Sequence, residues 1–372
     1  MSEDRARTSI IIPVWNGAAV LPACLRAVYD HSDPDLPEVV AVDNASSDGS
    51  ADRIAQDFPA VRLIRQPFNL GFAGGVNAGM EAAAGDLFVL LNQDCMVEPG
   101  WLAALHAGFS SDPSAAIAGA TIFDASGAVN HAGAVLEMPL AFSHHFTTIT
   151  EQPRPVDYVT GALFAIRRTA WVDLGALDDE FYPAYFEEAD YCYRARRRGL
   201  SVLYVPAARA RHLQSSRAWR EDPLLHAAQQ HRSRYRFVAK HFTGPQLAAF
   251  FPAEQASLDA EAWFDQALGR ALAARQTSRR LAAILARRQQ ELGESLSPAY
   301  RRLLQAGFAE LSRHALGRAA LLAQRDFSES LPRRVCRRLG FLPAPAPHQP
   351  PLAAQRAAQL KVLELLAAYD DR

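Results

Sequence analysis

Four times within residues 8–91 a short apolar run ends in a turn of polar and small residues, and three of those turns open a helical pattern. The runs are Thr8–Val14, Glu38–Asp43, Val61–Arg65 and Leu87–Leu91. The helical spacings are Ala18–Tyr29 (apolar at Leu21, Leu25 and Val28), about 49–57, and Gly74–Ala84. Strands that alternate with helices of this length build a mostly parallel sheet covered on both faces. In such sheets ligands bind beyond the carboxyl ends of the strands. The places to search for chemistry are therefore the residues just after Val14, Val42, Arg65 and Leu91.

The rest of the chain divides by pattern. From 120 to 212 it is mixed, with hairpin segments, a strand at Ala162–Ile166, a helix starting near Glu188 and a strand at Ser201–Val205. After about residue 218, Ala, Leu, Arg and Gln dominate and strands disappear. Ser297-Pro298 reads as an N-cap with Pro in the first helical turn, followed by apolar Leu304, Phe308 and Leu311. Pro343–Pro351 reads as a linker before a last helix at 352–369. The expected division is 1–120, 121–240 and a helical region 241–372. A formal net charge of −1 offers no electrostatic footing for nucleic acid. The N-terminus has no secretory pattern, and no apolar stretch reaches the roughly 20 residues of a bilayer span. Cys24, Cys95, Cys192 and Cys336 lack metal or disulfide spacing, so reduced thiols and a cytoplasmic location are expected.

Each strand end carries candidate chemistry with an ordinary alternative beside it. Asp43 leaves the second strand and could accept from a ribose or base N–H. The cluster Asp43-Asn44-Ala45-Ser46-Ser47-Asp48-Gly49 also suits a turn with a helix cap. The glycine-rich stretch Asn69–Gly79 opens a helix but lacks G-x-G-x-x-G spacing, so a dinucleotide cradle is not expected. Asp94 leaves the buried fourth strand, where a carboxylate is costly unless a cation meets it. A divalent ion carrying diphosphate oxygens would suit it, and so would a plain turn. Glu187 and Glu188 start a helix, either facing a site or complementing the macrodipole, and Asp190 and Arg194 are spaced to pair. His212, after a strand, is a ligand or a structural histidine.

The order of these segments is more specific than any one of them. Pro13-Val14-Trp15-Asn16, then Val42–Ser50, then Asn69–Gly79, then Leu90-Leu91-Asn92-Gln93-Asp94 closely resembles the family 2 inverting glycosyltransferases, and among them the rhamnosyltransferase-like enzymes of bacterial surface polysaccharide assembly. Val159-Thr160-Gly161-Ala162, Asp179–Tyr182, Tyr185–Arg194, Pro206 and His212 extend the likeness, which covers about residues 8–240. The resemblance implies a GT-A fold, α/β with a nucleotide-binding sheet, followed here by an all-α extension. It implies that Asp94 ligates Mg²⁺ or Mn²⁺, with His212 completing the metal site. It places Pro13, Val14, Asn16, Asp43, Asn44, Gly71, Phe72, Asn77, Asn92 and Gln93 around a nucleotide-sugar. Glu187-Glu188 falls on the family's Glu-Asp pair, whose second acid is the catalytic base; here that acid is Glu.

The implied reaction is transfer of a sugar, rhamnose from a dTDP or other nucleoside-diphosphate donor, or a hexose from a UDP donor. The acceptor is a hydroxyl of a saccharide or lipid-linked saccharide. Glu188 is the first choice of base and Glu187 the second, and a Glu reference pKa of about 4.3 makes either ready at neutral pH without tuning. A sugar-phosphate nucleotidyltransferase would need a basic glycine-rich loop after the first strand, and Pro13–Gly17 has no basic residue. A noncatalytic carbohydrate binder would not need Asp94, Glu188 and His212. In the C-terminal third, Leu268, Leu272, Leu281, Leu285 and Leu292 share a face amid Arg270, Arg275, Arg279, Arg280, Arg287 and Arg288. That pattern packs a helix on the catalytic domain or on a second subunit of a homo-oligomer. Alternatively it makes peripheral contact, through 268–292, with the inner face of an anionic membrane.

Overall fold

The computed structural model describes residues 7–32, 37–213, 223–294 and 296–328. Cys336, the proline-rich stretch and the expected last helix lie outside them. The chain divides into two compact units, one of residues 1–137 and 142–216, the other of 138–141 and 217–372.

The first unit is a ten-stranded sheet with helices. Its elements are β1 (Thr8–Val14), α1 (Leu21–His31), β2 (Glu38–Asp43), α2 (Ser50–Asp57), β3 (Arg62–Arg65), α3 (Gly71–Ala82), β4 (Leu87–Leu91), β5 (Cys95–Val97), α4 (Trp101–Ser111) and β6 (Ala115–Phe123). There follow β7 (Val129–His131), β8 (Ala134–Glu137), β9 (Phe142–His145), β10 (Arg154–Pro155), β11 (Leu163–Arg167), α5 (Arg168–Leu174), a 3-10 turn (Asp179–Phe181), α6 (Glu187–Arg197) and β12 (Ser201–His212). The main path runs β10-β12-β6-β11-β4-β1-β2-β3, and β8 and β9 form a separate hairpin. β1, β2, β3 and β4 are parallel, as the alternation demands. β11 runs antiparallel to both β4 and β6, so the sheet is mixed. β1 and β4 are buried at every position, which is why, after Thr8 and Ser9, they read as apolar runs.

Three elements read from the sequence shift by three residues or more, α1 starting at Leu21 rather than Ala18. β12 does not stop at Val205 but continues to His212, with a register shift between Val205 and Arg209. Pro206 has no N–H to donate, and the bulge absorbs it. α3 begins at Gly71 rather than Gly74, because Asn69 Oδ1 accepts from the Gly71 N–H (2.8 Å) at its start.

The second unit is helical: α7 (Pro223–His241), α8 (Gly244–Ala260), α9 (Phe264–Leu292) and α10 (Pro298–Ser328). The expected cap is present, with the Tyr300 N–H donating to Ser297 Oγ (3.2 Å), and Leu304, Phe308 and Leu311 are fully buried. The α9 stripe is internal. Leu268, Leu272, Leu281 and Leu285 are buried, and so are Arg270 and Arg288, whose guanidinium groups meet Glu254, Glu261 and Glu294. Packing within the helical unit accounts for these four leucines, and two of the arginines of 268–292, Arg270 and Arg288, are not surface charges. Among the described residues no helix is long and apolar enough to cross a membrane.

Candidate active site

The loops after β1 and β2 are zipped together. Asn16 and Ala45 both sit in the left-handed region (φ 48° and 57°), a conformation that Asn tolerates well. The Asn16 N–H donates to Ser46 Oγ (2.9 Å), and the Ser47 N–H donates to Asn16 Oδ1 (2.9 Å). Ser50 Oγ accepts from the Gly17 N–H (2.9 Å), and Asp48 accepts from the Ala18 N–H (2.9 Å) and the Ser50 N–H (3.0 Å). Burial alone would raise the Asp48 carboxyl; its bonds from Ser50 and Ala18 outweigh that and hold it below the usual range. The cluster is the expected turn, and its side chains are what stitch the two loops together. Asp43 is buried, accepting from the Ser46 N–H (3.3 Å). Asn44 is buried too, donating through Nδ2 to the Gly71 carbonyl (3.1 Å), while its Oδ1 has no partner among the described residues.

Gln93 lies across the end of β1. Its Oε1 accepts from the Trp15 N–H and its Nε2 donates to the Trp15 carbonyl, both at 3.0 Å, and its side chain covers Gly17. Pro13 and Val14 are the buried last residues of β1, with Val14 accepting from the Asn44 N–H (2.8 Å). The Trp15 side chain is exposed.

β5 returns antiparallel along the end of β12, with Cys95 opposite His212. That register brings the two residues expected at the metal together. His212 Nε2 stands 3.0 Å from Asp94 Oδ1 and 3.2 Å from Asn92 Nδ2. Asp94 is 6% exposed. A hard carboxylate oxygen suits Mg²⁺ or Mn²⁺, and the imidazole nitrogen beside it is a second donor within reach of the same ion. The residues present fit such an ion.

The remaining candidates separate. Both groups of the Asn77 amide are spent on the Leu177 backbone, Nδ2 donating to its carbonyl and Oδ1 accepting its N–H, each at 2.9 Å. Gly71 (φ 72°) is pressed by protein: a Cβ there would meet Tyr182 Cδ2 at 2.8 Å and the Pro183 carbonyl at 2.9 Å. The Phe72 ring reaches Gly161.

Glu187 and Glu188 open α6 after two consecutive left-handed residues, Tyr185 (φ 85°) and Phe186 (φ 71°). Left-handed bulky residues cost energy that the surroundings must hold in place. Glu187 is buried and Glu188 partly so, and neither Oε2 has a hydrogen-bond partner among the described residues. Burial, then the Glu188 charge beside it, pushes the Glu187 carboxyl well up; burial also raises Glu188, against hydrogen bonds from its own N–H and that of Gly161. The expectation of an untuned carboxylate is thus corrected, because the pair sits out of water and its members repel. Asp190 and Arg194 form the expected pair (3.0 Å), fully inside, where Arg194 also donates to the Leu174 (2.7 Å) and Ala176 (2.8 Å) carbonyls. Both are structural.

Beside Glu188 lies a group the sequence did not mark. Tyr158, buried, bonds Ser143 Oγ and His145 Nε2 (2.9 Å) through its hydroxyl, and the His131 ring meets His145 edge-on (4.7 Å). The Thr160 N–H donates to His131 Nε2 (3.3 Å). His145 lies in β9, while His144 faces out to Glu137 (3.2 Å). Tyr158 lies 13 residues after His145, and only the folded hairpin brings the two together.

Comparison with known proteins follows this geometry. Residues 9–175 match the family described as Glycosyl transferase family 2. The chain is 29% identical over 234 residues to the N-acetylglucosaminyl-diphospho-decaprenol L-rhamnosyltransferase of Mycobacterium tuberculosis, covering 55% of this chain and 76% of that one. It is 27% identical over 236 residues to N-acetylgalactosaminyltransferase 7 of Drosophila melanogaster, 56% of this chain and 40% of that one. The solved structure of GalNAc-T7 with UDP, GalNAc and Mn²⁺ superposes with a TM-score of 0.56 at 19% identity. That match covers 68% of this chain and about half, 51%, of the other.

Proposed function

Residues 9–175 are a glycosyl transferase family 2 domain on a GT-A fold, and from that premise we propose that the chain transfers a sugar from a nucleoside diphosphate to a hydroxyl with inversion. Rhamnose from a dTDP donor is the first choice, on the likeness to the mycobacterial L-rhamnosyltransferase, and a lipid-linked saccharide is the matching acceptor. A UDP-hexosamine is the second reading, on the likeness to the N-acetylgalactosaminyltransferase. The observation that carries the proposal is the pairing of Asp94 with His212 at one strand end, beside a half-buried Glu188 whose Oε2 has no hydrogen-bond partner among the described residues.

In this reading residues 1–120 hold the donor and 121–240 the acceptor. Asp94 and His212 would hold Mg²⁺ or Mn²⁺, which as a Lewis acid offsets the charge that develops on the leaving diphosphate. The stitched loops at Asn16, Asp43 and Asn44 form a rigid wall for the nucleotide. Glu188 takes the proton of the acceptor hydroxyl at Oε2 as that oxygen attacks the anomeric carbon from the face opposite the diphosphate. Its raised pKa strengthens it as a base, and it must be deprotonated to act.

The test is release of nucleoside diphosphate from dTDP-rhamnose, UDP-GalNAc and GDP-mannose, with Mn²⁺, with Mg²⁺ and with chelator. One donor should be turned over slowly, and only with metal. Asp94→Ala should abolish that turnover and keep the fold; turnover near wild type in this variant would end the metal assignment. Pyrophosphate release from a nucleoside triphosphate would instead mark a nucleotidyltransferase.

A further inference from the structure

Gln93 commits its amide to the main chain of another loop. Its Oε1 accepts the Trp15 N–H and its Nε2 donates to the Trp15 carbonyl, both at 3.0 Å. Two opposed residues of a hydrogen-bonded antiparallel pair exchange the same two bonds. The neighbouring strands do not reach that far: β1 pairs with β4 from Thr8 to Ile11 and with β2 as far as Val14. The Gln93 side chain thus carries the pairing one residue past the end of β1. Gly17 makes room for it, since a Cβ there would stand 2.2 Å from Gln93 Oε1 and 2.8 Å from its Cδ.

Both ends of this strap are fixed. The Trp15–Gly17 loop is bonded on its other side to the loop after β2, through Asn16 with Ser46 and Ser47 and through the Gly17 N–H to Ser50 Oγ. Gln93 itself stands between Asn92 and Asp94. The Asn92 N–H donates to the Ala162 carbonyl (3.1 Å), the Cys95 N–H closes the turn on the Asn92 carbonyl (3.0 Å), and the Leu213 N–H donates to the Asp94 carbonyl (3.0 Å). His212 Nε2 lies against the side chains of both neighbours of Gln93, 3.2 Å from Asn92 Nδ2 and 3.0 Å from Asp94 Oδ1.

We infer that Gln93 is a positioning residue: it straps the turn that carries Asp94 to the loop that carries Asn16, and does not itself contact the donor. The inference rests on the reading of Asp94 and His212 as ion ligands and of Asn16 as a nucleotide contact. Family likeness put Gln93 at the nucleotide-sugar, but turning this amide toward a donor would give up both bonds to Trp15. The strap gives the two subsites a shared precision. A small hard ion such as Mg²⁺ demands near-ideal ligand geometry. Cutting the strap widens the positions open to Asp94 and to Asn16 alike, so ion and nucleotide both bind less well. Loss of a plain nucleotide contact would weaken the nucleotide alone.

The experiment uses the full chain. It compares wild type, Gln93→Met, Gln93→Ala, Gly17→Ala, the double variant Gly17→Ala/Gln93→Ala, and Asp94→Ala. Read out are the affinity for Mn²⁺ alone, by paramagnetic resonance of the free ion, and the KM of the donor turned over in the panel above. Thermal unfolding checks that each variant is folded. Gln93→Met keeps length but makes neither bond. Its Mn²⁺ affinity should fall about 5-fold, the worth of one net hydrogen bond of about 1 kcal/mol, and its donor KM should rise. Gly17→Ala should also weaken Mn²⁺ binding, by pushing the amide off Trp15, and should weaken it little further in Gln93→Ala, where the space is open. Gln93→Met and Gly17→Ala decide the matter should Gln93→Ala not fold. A raised donor KM beside unchanged Mn²⁺ affinity marks a direct donor contact and overturns the inference. Weakened Mn²⁺ binding beside an unmoved donor KM overturns it too, as do equal Gly17→Ala costs in the two backgrounds. No Mn²⁺ binding by wild type, or undiminished binding by Asp94→Ala, would remove the metal site and the inference together. Binding lost in Asp94→Ala but unmoved in Gln93→Met and Gly17→Ala removes the inference alone.

Discussion

At the scale of single residues, the two acids that open α6 make opposite predictions. Glu188→Gln keeps shape and removes proton acceptance, so turnover should fall by about 10²–10⁴-fold with donor binding little changed. In the wild type, activity should be lost as pH falls through the raised Glu188 pKa, so the acid limb should lie above the ordinary glutamate value of about 4.3. Glu187 is buried without an ion pair among the described residues. Its folded pKa lies above its unfolded one, so whatever stability it lends is present below the unfolded pKa and is lost as pH rises through the folded value. Glu187→Gln carries no charge to bury. Its melting temperature should exceed that of wild type near neutral pH, with the gap closing toward pH about 4; scanning fluorimetry across pH checks this. If Glu187→Gln proves the crippled enzyme, the two roles are exchanged.

At the scale of elements, the packing of α3 on the sheet depends on a missing side chain. A Cβ at Gly79 would stand 2.3 Å from Ile11 Cγ2 on β1 and 3.2 Å from Val42 Cγ2 on β2. Alanine gains about 1 kcal/mol of helix propensity over glycine. Forcing it into a filled interior costs about 1–3 kcal/mol. The steric cost therefore wins, and Gly79→Ala should destabilise the protein in denaturant unfolding. Gly317, exposed in α10 with nothing within 4 Å of its Cβ position, has only the propensity side of this balance. Gly317→Ala should stabilise by up to about 1 kcal/mol. The same substitution on two helices, read with opposite signs, separates propensity from packing.

At the scale of the whole molecule, the two units hold their charges differently. In the sheet unit Asp94 meets the His212 imidazole, while Glu187 and Glu188 lack cations among the described residues. The helical unit surrounds its buried acid with them. Glu254, fully buried, meets the Arg234 guanidinium (Nη1 at 2.8 Å), Arg270 (3.5 Å) and the Tyr235 hydroxyl (2.6 Å). Burial would raise this carboxyl; Arg234 and then Arg270 outweigh it and hold it down at about 2. Its folded pKa is depressed, so its contribution is present above the unfolded value near 4.3 and is lost as pH falls toward about 2. Glu254→Gln leaves two buried arginines short of a counter-charge and should cost about 3–5 kcal/mol. Calorimetry should show this loss in the helical transition while the sheet unit keeps its own.

Much of the sheet unit could be read from the chain alone, for a physical reason. The runs 8–14, 38–43 and 87–91 are almost wholly buried, and a strand covered on both faces is mostly apolar, so its residues mark it out. Asp94 stood out because a carboxylate straight after such a strand needs a reason. The helical character after 218 was equally local, and Ser297 declared itself as a cap. Pairings distant in sequence were not written there. Asp94 and His212 meet because β5 doubles back along β12, and β12 reaches His212 only by bulging past Pro206. The raised pKa values of Glu187 and Glu188 depend on what buries them. The α9 arginines looked like a surface stripe until carboxylates on α8 and after α9 received two of them. Residue type and spacing determine which segments become strand or helix and which side chains can do chemistry. Which of those side chains touch, and how much water they keep, is decided by register and packing, because contact energies and dielectric exist only once the chain has folded.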